Sequence, residues 1–358
     1  MEDDTRKALS SFMIKKSFCV IGIGWVKSVS VGWVDCYNDS MSKVTKQVEA
    51  ELARLGVRKD SKLLLAFSGG VDSAVLLDIL GQIGYPNIVL AYYNHSLRRD
   101  SDRENLLVQN IAKKYQLKLI EARYSLTRSD EASLRKARHH FLDSSLVKSK
   151  ADYLLLAHHQ DDLIETIVAN DLRGAGLKGY VPFKDSKTVI RPMINLTKNS
   201  LYKYAHLREL GFIEDYTNYQ LDYQRNLYRW LLLPTLSAKD REKIIKQHQA
   251  IKRRIQDINQ NLKHWTKLNL AYQDPMYRID KSIIQALDRD FIIAWLDWLF
   301  NRGKLGFYST RRLELMADWL KNTTNNKRFP VGNNWLVMQD GWLIFEGLTD
   351  MIENRISD

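Results

Sequence analysis

The clearest structural signal in this sequence lies at residues 63–77, which read LLLAFSGGVDSAVLL. The apolar run at residues 63–67 predicts a buried β-strand, and the apolar run at 74–77 predicts the start of a helix. The two glycines between them let the backbone approach an anion closely, because no Cβ atom obstructs it. The N–H groups in the first turn of a helix, together with the helix dipole, can then hold phosphate. The stretch therefore predicts a phosphate-binding turn between a strand and a helix.

The candidate nucleotide contacts in this turn are Ser68, Gly69, Gly70, Val71, Asp72 and Ser73. The two serines add hydroxyl donors. The Asp72 carboxylate would repel a phosphate unless Mg²⁺ lies between them, so Asp72 is the candidate metal ligand and implies a metal-bound nucleotide. The turn lacks the Gly-Lys-Ser/Thr of a Walker A loop, which argues against γ-phosphate transfer of that type. The alternative is a serine and glycine turn that merely caps a helix.

The stretches that follow alternate between β-rich runs and helical patterns. Strands are predicted at residues 63–67, 88–93, 117–122 and 153–157, and helices at 73–83, 103–115 and 131–148. Largely apolar strands separated by helices indicate a parallel sheet that is covered on both faces. We therefore expect an open, doubly wound α/β domain whose ligand crevice lies beyond the carboxyl ends of the strands.

A second candidate site follows the fourth predicted strand. Residues 157–166 read AHHQDDLIET and combine two histidines with three carboxylates. Asp162 and Glu165 are three positions apart on the predicted helix, so their side chains share one face. Carboxylates in this arrangement can hold an ammonium group and assist its loss of a proton. The alternatives are a metal cluster, or a solvated acidic helix start that complements the helix dipole.

The composition changes after about residue 226. Residues 238–267 and 282–301 predict helices, and residues 327–346 alternate apolar and polar as in a small β-hairpin layer. The net charge of +12 favours a polyanionic partner such as RNA. We therefore divide the 358-residue chain into an extension (1–40), a catalytic domain (41–228), a helical linker that contacts RNA (229–300) and a small α+β C-terminal domain (301–358).

The first forty residues contain an apolar stretch at 17–34 that Lys27 interrupts. A signal peptide would need a clean cleavage site, which does not follow. A membrane anchor would need about 20 apolar residues, and a lysine at its centre costs about 3 kcal/mol. We therefore expect no membrane partner, an extension that lies outside the folded body, and an amphipathic helix that begins at Met41.

The chain has two cysteines, Cys19 and Cys36. This number indicates no disulfide framework and favours a reducing, cytoplasmic location.

The motif Ser-Gly-Gly-Xaa-Asp-Ser at 68–73 resembles the pyrophosphate loop of the N-type ATP pyrophosphatases (PP-loop enzymes), which have an adenine nucleotide alpha hydrolase-like fold. Members that transfer sulfur or hydrolyse glutamine need a thiolate or an iron–sulfur cluster. No cysteine follows residue 36, so those mechanisms lack their nucleophile in the body of this chain. An amine that arrives as a free substrate is the candidate nucleophile that remains.

Several further motifs resemble the tRNA(Ile)-lysidine synthetase family, in the family's order over residues 62–230. They are NHSLR at 94–98, LRKARHHFL at 134–142, RG at 173–174, RP at 191–192, EDYTN at 214–218, and RN at 225–226 followed by Arg229. The resemblance implies ATP-dependent ligation of lysine to C2 of the wobble cytidine of the CAU anticodon of tRNA(Ile). An adenylated cytidine would be the intermediate, and AMP and pyrophosphate would be released. ATP, Mg²⁺, free L-lysine and this tRNA are the implied ligands, and a homodimer is compatible with the family.

The resemblance also suggests a role for individual residues. Asp72, Asp162 and Glu165 are the candidate catalytic residues, and the last two are also the candidate lysine ligands. His158 and His159 would lie beside the nucleotide, and the alternative, above all for His159, is ordinary packing at the end of a strand. The candidate contacts to tRNA phosphate or to the activated base are Arg135, Arg138, Arg191, Arg225 and Arg229. The sequence departs from the family at His139, where the family more often has tyrosine.

Two other functions remain open at this point. One is a different PP-loop tRNA-modifying enzyme, such as a thiolase, which the lack of cysteine after residue 36 opposes. The other is a basic RNA-binding module without catalytic activity, which the complete 68–73 motif and the complete acidic cluster oppose.

Overall fold

The computed structural model describes residues 31–94, 101–123, 131–175, 179–183, 186–213, 231, 233–273, 276–302 and 308–346. Within these residues the strands form two five-stranded sheets, one parallel and one antiparallel. The strands of the parallel sheet lie between residues 63 and 190, and those of the antiparallel sheet between residues 271 and 346.

The elements of the first unit alternate as the sequence predicts. They are α1 (Val31–Arg54), β1 (Leu63–Ala66), α2 (Val71–Gln82), β2 (Ile88–Asn94), α3 (Ser101–Lys114), β3 (Lys118–Arg123), α4 (Glu131–Ser149), β4 (Tyr153–Leu155), α5 (Gln160–Leu172), β5 (Val189–Ile190) and α6 (Lys198–Leu207). The strand order is β3-β2-β1-β4-β5 with parallel pairing throughout. The predicted open, doubly wound parallel sheet is therefore confirmed.

The strand order reverses between β1 and β4. Strand β1 pairs with β2 on one side and with β4 on the other. Ligands of open α/β sheets bind beyond the carboxyl ends of the strands at this kind of switch point. The phosphate-loop motif follows β1 and the acidic motif follows β4, so the topology brings two distant segments of sequence to one crevice.

Alternate residues of β1 enter two different cores. Leu63 and Leu65 lie in a large core with α2 and α6, whereas Leu64 packs on the opposite face of the sheet beside Leu142 of α4. Side chains alternate along a strand, so a continuous apolar run such as LLLA satisfies both faces. Burying one such leucine stabilises the fold by about 1.5–3 kcal/mol.

Helix α1 begins at Val31 rather than at the predicted Met41. Val44, Val48 and Leu52 of this helix are buried in the large core, with spacings of four residues that place them on one face. The predicted amphipathic helix is therefore seen in the structure, with an earlier start.

The second unit begins with a 32-residue helix, α7 (Ala238–Asn269). It continues with β6 (Ala271–Gln273), β7 (Met276–Asp280), α8 (Lys281–Ala286), α9 (Arg289–Arg302), α10 (Thr310–Asn322), β8 (Lys327–Val331), β9 (Asn334–Gln339) and β10 (Trp342–Glu346). Ser237 and Asp240 form a capping box that starts α7. None of the helices within the described ranges is long and apolar enough to cross a lipid bilayer.

The antiparallel sheet has the order β6-β7-β10-β9-β8. Helices α9 and α10 cover one face, and Trp295 of α9 is fully buried among them. The indole Nε1 of Trp295 donates a hydrogen bond of 3.2 Å to Thr266 Oγ1 at the end of α7. Strands from both sides of residue 300 contribute to this sheet, so residues 271–346 share one core.

Candidate active site

The turn after β1 depends on Gly69. Its φ of +79° is a conformation that L side chains rarely adopt. A Cβ atom built on this residue would come within 2.9 Å of Ile213 Cδ1. Ile213 N also donates a hydrogen bond of 2.8 Å to Gly69 O. Glycine is therefore favoured both by the backbone conformation and by the close approach of the Ile213 side chain.

The rest of the turn is held by its own hydrogen bonds. Ser73 Oγ donates to Gly70 O at 2.9 Å, and Gly70 N donates to Ser68 Oγ at 3.3 Å. Gly70 is the N-cap of α2, and no side chain at this position accepts a hydrogen bond from the first helical turn. The first turn of α2 can therefore present its backbone N–H groups to a ligand. Val71 is buried in the core, so it can contact a phosphate through its backbone alone.

Asp72 faces a lysine that the sequence analysis did not predict. Lys198 Nζ, at the start of α6, lies 2.7 Å from Asp72 Oδ1 and 2.8 Å from Oδ2. The ammonium group also lies 5.0 Å from the ring centroid of Tyr202. The pair is partly exposed, with 31% of the Lys198 side chain and 28% of the Asp72 side chain accessible. The Lys198 ammonium is thus a positive group beside the carboxylate that is the candidate Mg²⁺ ligand.

His159 connects the phosphate loop to the acidic helix. Its side chain accepts a hydrogen bond from Asp162 N, and Asp162 Oδ2 accepts one of 3.0 Å from His159 N, which together form a capping box for α5. His159 Nε2 lies 3.3 Å from Asp162 Oδ2 and 3.7 Å from Asp72 Oδ2. The two sites predicted from sequence are therefore parts of one cluster.

The three carboxylates of the acidic motif have different environments. Asp162 and Glu165 are buried, with 8% and 1% of the residue exposed. Asp161 is instead bound on both oxygens, by Arg241 and by the backbone N–H of Lys198. Burial of the first two argues against a solvated acidic helix start. No group of three or more His, Cys, Asp or Glu side chains among the described residues is arranged to hold a metal ion.

The protein groups fit Mg²⁺ bound through phosphates rather than in a protein cage. Asp72 supplies a hard carboxylate donor at the phosphate loop, which is the kind of donor that Mg²⁺ prefers. Mg²⁺ usually keeps several waters and is shared between one or two carboxylates and substrate phosphates.

His158 belongs to a planar stack beside this cluster. Its ring lies 4.9 Å from the Phe183 ring, with 10° between the planes. Arg191 Nε donates a hydrogen bond of 3.1 Å to His158 Nδ1, and its guanidinium lies 4.9 Å from the Phe183 centroid. Stacked aromatic and guanidinium planes are suited to contact a nucleobase. Arg191 is therefore hydrogen-bonded to His158 and forms part of the stack.

Arg135 and Arg138 are exposed on α4. Partial burial, together with the nearby Arg138 and Arg135 charges, lowers the pKa of His139 below its usual value. His139 also lines a cavity of about 300 Å³ between α4 and strands β4 and β5, which Arg191 borders. Arg225 and Arg229, and residues 95–98 and 214–218 of the family motifs, lie outside the described residues.

Lys198, Arg241 and Phe183 were not among the residues predicted from the sequence. Lys198 and Asp72 are 126 positions apart, and Arg241 and Asp161 are 80 apart. No local spacing could connect them. The available signal was the Thr197 N-cap, which marks the start of α6 and places Lys198 in its first turn.

Comparison with known proteins extends this picture. The sequence model of the PP-loop domain family matches residues 39–236, more than half of the chain. A Lactobacillus gasseri protein named tRNA(Ile)-lysidine synthase is 36% identical over 194 residues, which is 51% of this chain and 45% of that protein. A Bacillus subtilis protein of the same name is 28% identical over 288 residues, covering 74% of this chain and 61% of that protein.

A Francisella tularensis protein, again named tRNA(Ile)-lysidine synthase, is 35% identical over 186 residues, or 49% of this chain and 46% of that protein. The chain thus spans about half the length of the first two relatives that it matches. A solved U34-tRNA thiolase from Methanococcus maripaludis is similar with a TM-score of 0.52 at 16% identity, covering 61% of this chain and 80% of that chain. That likeness concerns the fold.

Proposed function

Because the chain belongs to the PP-loop domain family, we propose that it ligates lysine to C2 of the wobble cytidine in the CAU anticodon of tRNA(Ile) at the expense of ATP. The observation that carries this proposal is the position of His159 Nε2, 3.7 Å from Asp72 and 3.3 Å from Asp162. A nucleotide at the loop and an amine at the acidic helix would then lie within one site. The names of the three relatives agree with this activity.

The first step activates the base. The C2 oxygen of the cytidine attacks the α-phosphorus of ATP, a new P–O bond forms, the bond to the β-phosphate breaks, and pyrophosphate leaves. Backbone N–H groups of residues 69–73 would hold the phosphates, and the hydroxyls of Ser68 and Ser73 would add donors. Mg²⁺, held by Asp72 and the phosphates, would supply further neutralisation of the charge that develops on the leaving group.

The second step replaces AMP with lysine. The side-chain amine of lysine attacks C2, a C–N bond forms, the C–O bond to AMP breaks, and AMP leaves. A protonated amine cannot attack, so a base must orient the ammonium group and take its proton. Asp162 and Glu165 are suited to this role because both are buried. A buried carboxylate favours a cationic or hydrogen-bonding partner, and the ammonium group of lysine would be a cationic one.

The base and the tRNA backbone would contact two different surfaces. The stack of Arg191, His158 and Phe183 offers a planar surface next to the cluster, which favours contact with a nucleobase. Arg135 and Arg138 are exposed on α4 and favour contact with phosphate. Arg225 and Arg229 remain proposed contacts to the tRNA.

The proposal is tested by incubating the full chain with ATP, labelled lysine and an unmodified tRNA(Ile) transcript that carries CAU. We expect the label to enter the RNA, with release of AMP and pyrophosphate. The same transcript with GAU should accept no label, because its wobble base is not cytidine.

The variant Asp72→Asn serves as the catalytic control, since loss of the carboxylate should abolish label transfer and pyrophosphate release together. Release of AMP and pyrophosphate without transfer of lysine, in the presence of all substrates, would contradict the proposed ligation.

A further inference from the structure

A chain of charged contacts connects helix α7 to the phosphate loop. Arg241 NH1, in the first turns of α7, lies 2.6 Å from Asp161 Oδ1. Asp161 Oδ2 accepts a hydrogen bond of 2.7 Å from the backbone N of Lys198. The Lys198 ammonium in turn contacts both oxygens of Asp72. Four residues from four elements thus connect α7 to the carboxylate of the phosphate loop, with the backbone N–H of Lys198 as one of the links.

Asp161 has a positioning role in this chain. Helix α6 begins at Lys198, and the backbone N–H groups of a first helical turn lack partners within the helix. The Asp161 carboxylate accepts one of them and complements the helix dipole. It therefore fixes the residue whose ammonium group contacts Asp72. Its second oxygen is bound by Arg241, so the position of α6 is coupled to the position of α7.

Arg241 makes a second contact that fixes its orientation. Its NH2 donates a hydrogen bond of 2.7 Å to Leu233 O, while NH1 contacts Asp161. The guanidinium is planar and presents its donors in a fixed fork, so it can hold both acceptors at once. A lysine at this position could reach one acceptor at a time.

The outer face of α7 carries a basic stripe, defined by Lys239, Lys243, Lys246 and Arg253. These residues are exposed and lie at intervals of three, four and seven positions, which places them on one side of the helix. Lys246 also contacts Glu242 at 2.7 Å. Lys239 and Lys243 lie two positions before and after Arg241, on a different face of the helix. A polyanion bound along the stripe would therefore act on the Arg241 contact through the position of α7 and not by touching Arg241. A row of lysine and arginine suits a nucleic-acid backbone.

We propose that Arg241 is a positioning residue that couples RNA bound on the basic stripe of α7 to nucleotide bound at the phosphate loop, through Asp161 and Lys198. The inference rests on the proposed function, since it takes tRNA and ATP as the two ligands. Coupling of this kind is reciprocal, so RNA changes the affinity for nucleotide by the same factor by which nucleotide changes the affinity for RNA.

The test is a linkage measurement on the full chain. The dissociation constant of a non-hydrolysable ATP analogue is measured with and without a saturating tRNA(Ile) transcript, and that of the transcript with and without the analogue. In the wild type we expect tRNA to change the analogue's dissociation constant by about 5-fold or more, within the range usual for coupled sites. In Arg241→Gln and in Asp161→Asn that factor should fall below about 2-fold.

Two further variants separate positioning from general stability. Arg254→Gln removes an arginine of the same helix that pairs with Asp288 and Asp290, away from α5, and should keep the full coupling factor. Arg241→Lys retains one charged contact and should retain an intermediate factor, which simple destabilisation of the fold would not produce. If Arg241→Gln does not fold, Asp161→Asn gives the same comparison.

A wild-type coupling factor in both Arg241→Gln and Asp161→Asn would overturn the inference, as would a wild-type chain in which RNA and nucleotide bind independently. These outcomes are distinct from failure of the proposed function. Coupling without transfer of labelled lysine would contradict the proposed ligation but not the coupling through Arg241. Transfer of lysine without coupling would contradict the coupling through Arg241 but not the proposed ligation.

Discussion

Asp161, Asp162 and Glu165 lie within the first two turns of α5, yet the fold gives each a different environment. Asp161 faces α6 and α7 and is bound by Arg241 and by the Lys198 backbone. Asp162 completes the capping box with His159, and Glu165 is buried one turn further on. The sequence spacing predicted a shared face for the acidic motif, but the partner of each carboxylate comes from tertiary contacts.

At the residue scale, Glu165→Gln should raise the KM for lysine about 10- to 150-fold while the KM for ATP stays near the wild-type value. The amide keeps the volume of the side chain but loses its charge, and a hydrogen bond to a charged group contributes about 1.5–3 kcal/mol. Steady-state kinetics with each substrate varied in turn would measure this. Asp171→Asn, at the far end of the same helix, is the matched control and should leave both constants unchanged. Equal changes in both constants would remove Glu165 from the amine site.

His139 gives a second residue-scale prediction. Its pKa is lowered first by burial and then by Arg138 and Arg135, whereas Asp143 raises it. Arg138→Gln should therefore raise the pKa of His139 but leave it below the ordinary value, because burial remains. Asp143→Asn should lower it further. The pKa would be read from the imidazole proton shifts in an NMR titration, and an unchanged or lower pKa in Arg138→Gln would contradict the assignment.

The lowered pKa also has a sign for stability. Between the ordinary pKa of histidine and the lowered one, the unfolded chain binds more protons than the folded chain. Stability therefore rises with pH through this window and falls as the pH is lowered through it. In His139→Leu, this pH-dependent contribution to the free energy of unfolding should disappear.

At the scale of elements, α2 and α6 are joined by a polar cluster around Asp78. Asp78 accepts hydrogen bonds from the Tyr204 hydroxyl at 2.8 Å and from Arg208 Nε at 3.1 Å. Burial and the Asp78 charge raise the pKa of the Tyr204 hydroxyl, so it stays a donor at neutral pH. The cluster holds α6, and with it Lys198, against the helix that begins at the phosphate loop.

Asp78→Asn should accordingly lower the free energy of unfolding of the first unit by about 1–3 kcal/mol, since it weakens the acceptor for three donor side chains, Gln82, Tyr204 and Arg208. Hydrogen exchange of the α2 and α6 amides would report the loss as faster exchange. The exposed pair Arg58 and Asp60 is the control, and Asp60→Asn should leave exchange unchanged because surface ion pairs contribute little. Equal exchange in the two variants would contradict the prediction.

Most elements of the first unit could be predicted because their signals are local. The apolar runs of β1, β2, β3 and β4 and the strand–glycine–helix junction depend on neighbours in sequence. Strand β5 is two residues long and β6 is exposed along its whole length, so neither carries a hydrophobic period. Residues 282–301, predicted as one helix, form parts of α8 and α9, because Leu287 ends the first and a new helix starts at Arg289.

At the scale of the whole molecule, the two sheets have separate cores, and Trp295 lies at the centre of the second. Trp295→Ala should destabilise that unit by about 3–5 kcal/mol through the cavity it leaves. We expect hydrogen exchange to accelerate in α9, α10, β9 and β10, while β1 and α2 keep their protection. Trp335→Ala, at a tryptophan that is 40% exposed, is the control and should change little. Equal acceleration in both units would mean that the two cores unfold as one.

The sequence could predict a ligand crevice at the strand ends of the first sheet, but not the pairing of β1 with β4 that forms the switch point. Alternating strands and helices indicated a doubly wound sheet, and the general rule placed its ligands at the strand ends. The register that brings Asp72 within 3.7 Å of His159 depends on how β1 pairs with β4, and the sequence contains no local signal for that pairing.

The most direct measurement is a crystal structure of the chain with a non-hydrolysable ATP analogue and L-lysine. We expect the phosphates to lie on the backbone N–H groups of residues 69–73, and the side-chain amine of lysine to lie about 3 Å from a carboxylate oxygen of Asp162 or Glu165. Phosphates bound elsewhere, or an amine bound away from the acidic face of α5, would contradict the claim that one crevice holds both reactants.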